Sequence, residues 1–356
     1  MEKINEKGIV CVTGGTGYVT SWLIMRLLQS GYYVNTTINN KLDQEGASFL
    51  KKLPNASQKL TIFTTNHEDH ETFYPAIEGC KGVIIGHSVD FEDKYDDEER
   101  KIQQSIDGIL GILKACLNSK TIKRVIYTSS DGTVGFIEGG PNVVDESLWS
   151  DIDFIKKMNP LGAFYCISKT LIEKEALNFA HKNGLDLVCV NHAWVFGPLC
   201  YSSMPNNCSS QHGHDSRSIL NLNKKVKCTH ILSSPRGGRE GNWTNIEYDS
   251  GVIALVHVDD VARAHIFLLE STQVKGRYIC CNANKTPDEL SQFLRARYPQ
   301  YQIPTIDCLK VTKAFKCPRP CSKKLLYAGF KYKYSLEDMY DGAIASCKQL
   351  VYSRNI

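Results

Sequence analysis

Apolar residues along this chain follow two rhythms. Short runs that are apolar on nearly consecutive positions fall at 9–13, 33–38, 60–64, 82–85, 124–129 and 187–191. Runs of that kind, bounded by glycine or polar clusters, predict strands covered on both faces. Between them apolar residues recur every three or four positions over 18–29, 71–77, 98–118 and 164–182, which predicts helices. Alternation of strand and helix predicts an α/β fold, a doubly wound parallel sheet of Rossmann type. The rhythm fades over residues 198–250, which are rich in Ser, Asn, Gly and His. A loop that long is functional or disordered. It resumes as a strand at 253–257, a helix at 259–270, a strand at 277–280 and helices at 287–297, 322–328 and 336–350. The expected division is a dinucleotide-binding Rossmann domain at 1–195 and a smaller C-terminal substrate lobe at 196–356. Some segments of about 253–281 are expected to return to the Rossmann sheet.

Composition narrows the class. The 356 residues suffice for a large core, and the net charge of +4, with no long Lys/Arg block, argues against a nucleic-acid partner. No apolar run approaches the roughly 18–20 residues needed to cross a bilayer, and no apolar signal stretch precedes the first strand. The expectation is a cytoplasmic protein without a membrane partner, acting as a monomer or weak homodimer. Its 14 cysteines then read as reduced thiols, with Cys11, Cys116 and Cys189 serving as small hydrophobes inside apolar runs. Cys280–Cys281 and Cys317–Cys321 lack companion pairs at zinc spacing, so no metal is expected. His212 and His214 lack an evident third ligand.

Candidate chemistry begins at "CVTGGTGYVTSW", residues 11–22. A strand, a glycine turn and a helix in immediate succession make a pyrophosphate site. Thr13, Gly14, Gly15, Thr16, Gly17 and Tyr18 are its candidate residues. Further on, Tyr165 and Lys169 stand four apart in "FYCISKTLIEKEAL" and so share a helix face. An ammonium beside a phenol lowers the tyrosine pKa and suits it to proton transfer. Taken alone, the pair also fits a solvated helix face. "RVIYTSS" adds hydroxyls at a strand's C-terminal end, where doubly wound sheets bind ligands, and Ser130 could there hydrogen-bond a substrate oxygen.

The turn, Ser130 and Tyr-x-x-x-Lys together resemble the extended short-chain dehydrogenase/reductase superfamily. "AIEGCKGV", "GILKACLNSKTIKRVIYTSS", "VHVDDVARAHIFLLE" and "SKKLLYAGFKYKYSLEDM" are similar to its plant dihydroflavonol 4-reductase-like branch, in the part around vestitone reductase and noscapine synthase-like enzymes. The likeness spans nearly the whole chain except about residues 200–250. It implies catalytic roles for Ser130, Tyr165 and Lys169. Tyr165 would transfer the proton, Ser130 would polarise the substrate oxygen, Lys169 would hold the nicotinamide ribose, and Tyr165 and Lys169 would both contact the cofactor. It implies NADP or NAD as cofactor and a small-molecule substrate, a polycyclic or aromatic plant metabolite carrying a secondary alcohol, ketone or hemiacetal.

Against that branch the cofactor side departs. Thr20 stands at the third glycine of the fingerprint and is expected to crowd the helix–strand contact. Asn39 replaces the arginine that faces the NADP 2′-phosphate, leaving Lys41 as a point charge. Asn66, with His67, stands where an aspartate meets adenine. The stretch "IIGHSVDF" is shortened and places His87 in a loop. "NHAWVFGP" lacks its first proline. Gly135 occupies a polar substrate-contact position, which argues against a dihydroflavonol substrate. The readings left open are a redox enzyme with relaxed cofactor choice, a non-redox acid–base enzyme (isomerase, cyclase or lyase), and a non-catalytic binding protein. Residues 205–245 are expected to cap the substrate pocket.

Overall fold

The computed structural model describes residues 7–39, 44–66, 69–86, 97–160, 162–200, 251–301, 303 and 317–353. Twelve strands occur among them: β1 (Ile9–Val12), β2 (Tyr33–Asn39), β3 (Leu60–Thr65), β4 (Gly82–Ile85), β5 (Arg124–Ser130), β6 (Val143–Val144), β7 (Leu187–His192), β8 (Trp194–Phe196), β9 (Ile253–His257), β10 (Gly276–Cys280), β11 (Ala283–Lys285) and β12 (Arg319–Pro320). Seven form one sheet in the order β10-β7-β5-β4-β1-β2-β3, with every pairing parallel. The chain winds outward from β1 through β2 to β3, then crosses back to β4. The winding therefore reverses between β1 and β4, and the crevice above their C-terminal ends is where such sheets take ligands.

The consecutive apolar runs are consecutive because both faces are covered. Every residue of β4 and β5 is buried. On one face the Tyr18–Gln29 helix packs against the Val258–Glu270 helix. On the other the Glu98–Asn118 helix packs against the Ala163–Asn183 helix. Asp97 caps the Glu98–Asn118 helix by accepting from the Arg100 N–H, and Glu98 and Glu99 in its first turn suit the helix dipole.

The 253–281 stretch divides between two sheets. Strand β10 lies in the central sheet, beside β7, but β9 does not. Strand β9 pairs in parallel with β8 and antiparallel with β11 in a separate three-stranded sheet. The cause is local: β7 runs on through Ala193 into β8, and β8 supplies the edge that β9 takes. Helices Gln44–Leu50 and Ile152–Met158 escape the sequence rhythm because each is only 7 residues long. The second is set by its ends. Asp151 accepts from the N–H groups of Asp153 and Phe154, and Asn159 stops the helix in the left-handed region. Among the described residues no helix is long and apolar enough to cross a membrane.

Candidate active site

The glycine turn joins β1 to the Tyr18–Gln29 helix. Gly14 has φ of +66°, which favours glycine. A Cβ on Gly15 would lie 2.1 Å from Thr36 Oγ1, so only glycine lets the turn approach β2. Gly17 is the N-cap and puts no side-chain cap over the first helical turn. The first-turn N–H groups, which have no intrahelical partner, thus have no side chain of the cap to meet. This cradle fits a pyrophosphate.

Thr20 is fully buried yet does not crowd the turn. Its hydroxyl donates to the Gly14 carbonyl at 2.6 Å, with the Gly17 carbonyl at 3.1 Å as a second acceptor. Its methyl fills the space in front of Gly86, where an added Cβ would lie 2.2 Å from Thr20 Cγ2. The expected crowding is therefore wrong. Gly86, the residue after β4, leaves the room that the β-branched side chain takes. Tyr18 and Trp22 from the same helix both donate to the Pro198 carbonyl, at 3.2 and 2.9 Å, and tie the turn to the segment after β8.

Asn39 ends β2 and pairs in register with Thr65, so Asn39 and Asn66 stand at neighbouring strand ends. Asn66 is pinned by its backbone, its N–H donating to Thr72 Oγ1 at 3.0 Å. Lys41, His67, His87, His212, His214 and the whole of residues 201–250 lie outside the described residues. Among the described residues no group of three or more His, Cys, Asp or Glu side chains could hold a metal ion.

Ser130, Tyr165 and Lys169 line one cleft, together with Thr128, Tyr18 and Val19. It encloses about 1130 Å³ including its solvent-open mouth. Ser130 Oγ accepts from the Gly132 N–H at 3.2 Å and hydrogen-bonds Tyr165. Lys169 Nζ donates to the Thr128 carbonyl at 3.2 Å and lies 5.9 Å from the Tyr165 ring centre. Burial lowers the Lys169 ammonium to about 8, against the opposing pull of Glu173. Burial raises the Tyr165 phenol above its ordinary value, opposed by the Ser130 hydrogen bond. The sequence suggested a lowered Tyr165 phenol; here desolvation is the largest influence on it and acts in the opposite direction.

Behind the cleft lies a polar cluster that sequence reading missed. Glu173, one turn beyond Lys169, is fully buried and accepts from Ser129 Oγ at 2.6 Å. Asn191 Nδ2 donates to it at 2.9 Å and Arg277 Nε at 2.8 Å. Arg277 also donates to Thr133 Oγ1 and stacks at 3.6 Å on Trp149. Other lining residues were also missed: Asp131, Phe136, Trp194, Cys317 and Pro318. Gly135 lines the cleft too, and an added Cβ there would meet only the Asp131 carbonyl, at 3.6 Å.

The parallel sheet with its flanking helices is matched by the comparisons. Residues 10–281 match the NAD dependent epimerase/dehydratase family. The chain belongs to that family. It is 42% identical over 350 residues to vestitone reductase of Medicago sativa, covering 97% of this chain and 98% of that one. It is 38% identical to dihydroflavonol 4-reductase of Arabidopsis thaliana, over 97% of this chain and 84% of the relative. The crystal structure of vestitone reductase from alfalfa superposes with a TM-score of 0.76 at 40% identity, covering 97% of this chain and 100% of that one. The family member is thus an NAD(P)-dependent oxidoreductase of the plant reductase branch.

Proposed function

We propose that this enzyme reduces a carbonyl or hemiacetal carbon on a ring-bearing, polycyclic or aromatic plant metabolite, with NADPH or NADH as donor. The observation that carries the reading is the single cleft in which Ser130, Tyr165 and Lys169 meet the helix that follows the glycine turn. Thr13, Gly14, Gly15, Thr16, Gly17 and Tyr18 would hold the dinucleotide, with Asn39 and Asn66 at its adenosine end. When bound, the nicotinamide supplies or accepts the hydride. Ser130 donates to the substrate oxygen and Tyr165 delivers the proton to it. The phenol is protonated at neutral pH, so Tyr165 stands ready as an acid toward the carbonyl oxygen. Lys169 holds the ribose and offsets negative charge that develops at the Tyr165 oxygen. The apolar and aromatic lining, with Phe136 and Trp194, excludes water and suits a ring system.

The described cysteines, all free thiols, support a cytoplasmic setting. The test is turnover of ring ketones and hemiacetals by purified protein with NADPH or NADH, followed at 340 nm. Cofactor loss should match product one for one. Tyr165→Phe should lower kcat by about 10²–10⁴-fold. Full turnover by nucleotide-free protein with a flat 340 nm trace would overturn the proposal in favour of non-redox acid–base chemistry.

A further inference from the structure

The cleft has one carboxylate among its described lining residues, Asp131. It follows Ser130 directly and opens the short 3-10 turn Asp131–Thr133. Its Oδ1 lies 3.4 Å from Ser130 Oγ, which donates to it. None of the ion pairs among the described residues includes it. The same cleft is lined by Val134, Phe136, Val144, Trp194 and Pro318, and its one lysine or arginine among the described residues is Lys169, which donates to the Thr128 carbonyl. A carboxylate held in such a place without a cation is costly. Burial accordingly pushes its carboxyl up to about 7, while the Ser130 hydroxyl and the Gly132 N–H pull it down. The ionised form has no ion-pair partner among the described residues, and a cationic ligand would supply one.

We propose that Asp131 receives a protonated amine of the substrate, so that the enzyme acts on ring compounds bearing a basic nitrogen close to the reacting carbon. Closeness follows from the geometry. Ser130 Oγ is the group that meets the reacting oxygen, and the carboxylate stands beside it. The assignment rests on the reading of this cleft as the substrate site of the oxidoreductase. It also separates this chain from relatives named for uncharged flavonoid-type substrates, since an ammonium gains from Asp131 what a neutral ring does not.

The experiment is calorimetric titration of the NADP-loaded wild type with 1,2,3,4-tetrahydroisoquinoline, a protonated ring amine, and with isochroman, its uncharged oxygen analogue. The amine should bind about 10- to 100-fold more tightly, the range of one charge-assisted pair. Asp131→Asn should abolish that advantage and leave isochroman binding unchanged. Between about pH 6 and 8 the amine's affinity should rise as Asp131 ionises, while the amine itself stays charged. Tyr165, Lys169 and His192 share the cleft, and Cys281 feels the Asp131 charge. Their titrations would persist in Asp131→Asn, which isolates the part due to Asp131. Equal binding of both probes to the wild type, no amine binding at millimolar concentration, or an advantage retained in Asp131→Asn would each overturn the proposal. Amine preference without any 340 nm change on amino ketones would sink the reductase reading and leave the Asp131 assignment standing. Reduction of neutral ketones without amine preference would do the reverse.

Discussion

The contact between Thr20 and Gly86 can be measured as a coupling. An alanine Cβ at position 86 would lie 2.2 Å from Thr20 Cγ2 and 2.8 Å from the Thr13 carbonyl oxygen. Neither neighbour yields easily, because one is a stiff β-branched side chain and the other is backbone. Gly86→Ala should therefore cost about 2–3 kcal/mol, the upper part of the range for overpacking. Thr20→Ala alone removes a buried methyl, worth about 1 kcal/mol, and the hydroxyl shared by the Gly14 and Gly17 carbonyls, worth about 1 kcal/mol more. Helix propensity returns roughly 0.5 kcal/mol, so the single variant should lose about 1.5 kcal/mol. In the double variant the methyl is gone and only the Thr13 carbonyl opposes the new Cβ. The cost of Gly86→Ala should then fall by about 1–2 kcal/mol. Urea denaturation of the four proteins, followed by tryptophan fluorescence, reads the cycle. Thr20→Ala should also loosen the turn and weaken NADPH binding by up to about tenfold, or 1.4 kcal/mol. Costs that add within about 0.5 kcal/mol would refute the steric argument, and tighter nucleotide binding by Thr20→Ala would restore the crowding that the sequence suggested.

Asn39→Arg should raise NADPH affinity about tenfold to a hundredfold and leave NADH nearly unchanged, as fluorescence titration would show. A wild type that already prefers NADPH by several hundredfold would mean another residue holds the 2′-phosphate. For pH, the Lys169 ammonium is lowered from its ordinary value to about 8, so its charge is present below that pH and lost above it. The reduction kcat/KM should fall as pH rises through about 8, and Lys169→Met should abolish that limb; an unchanged limb in the variant would assign it elsewhere.

Much of the fold was legible because its strands and long helices obey one rule each. Burial on both faces makes β4 and β5 apolar without interruption, and amphipathic spacing marks the Glu98–Asn118 helix. The short elements were not legible, since two-residue strands such as β6 and β12 exist only through each other's backbone hydrogen bonds. Tyr165 and Lys169 could be read as neighbours from helical spacing alone. Their protonation could not, because it depends on how completely the other strands and helices enclose them. Thr20 shows the same limit. Its volume was visible in the sequence, but the space in front of Gly86 that admits it comes from a crossing between β1 and β4, 66 residues apart in the numbering of Thr20 and Gly86.

Glu173 shows why the two halves of the chain act as one site. It lies on the helix that carries Tyr165 and Lys169, and its fully buried carboxylate needs partners to be tolerable there. They come from three strands: Ser129 on β5, Asn191 on β7 and Arg277 on β10. Arg277 lies far along the chain, yet it also donates to the carbonyls of Glu146 and Leu148 and to Thr133 Oγ1. Thr133 in turn donates to the Ser130 carbonyl at 2.9 Å. One carboxylate thus fixes the helix that bears Tyr165 relative to the strand end that bears Ser130. Docking of β10 against β7 completes that arrangement, so the geometry between Ser130 and Tyr165 depends on a strand that touches neither of them in sequence.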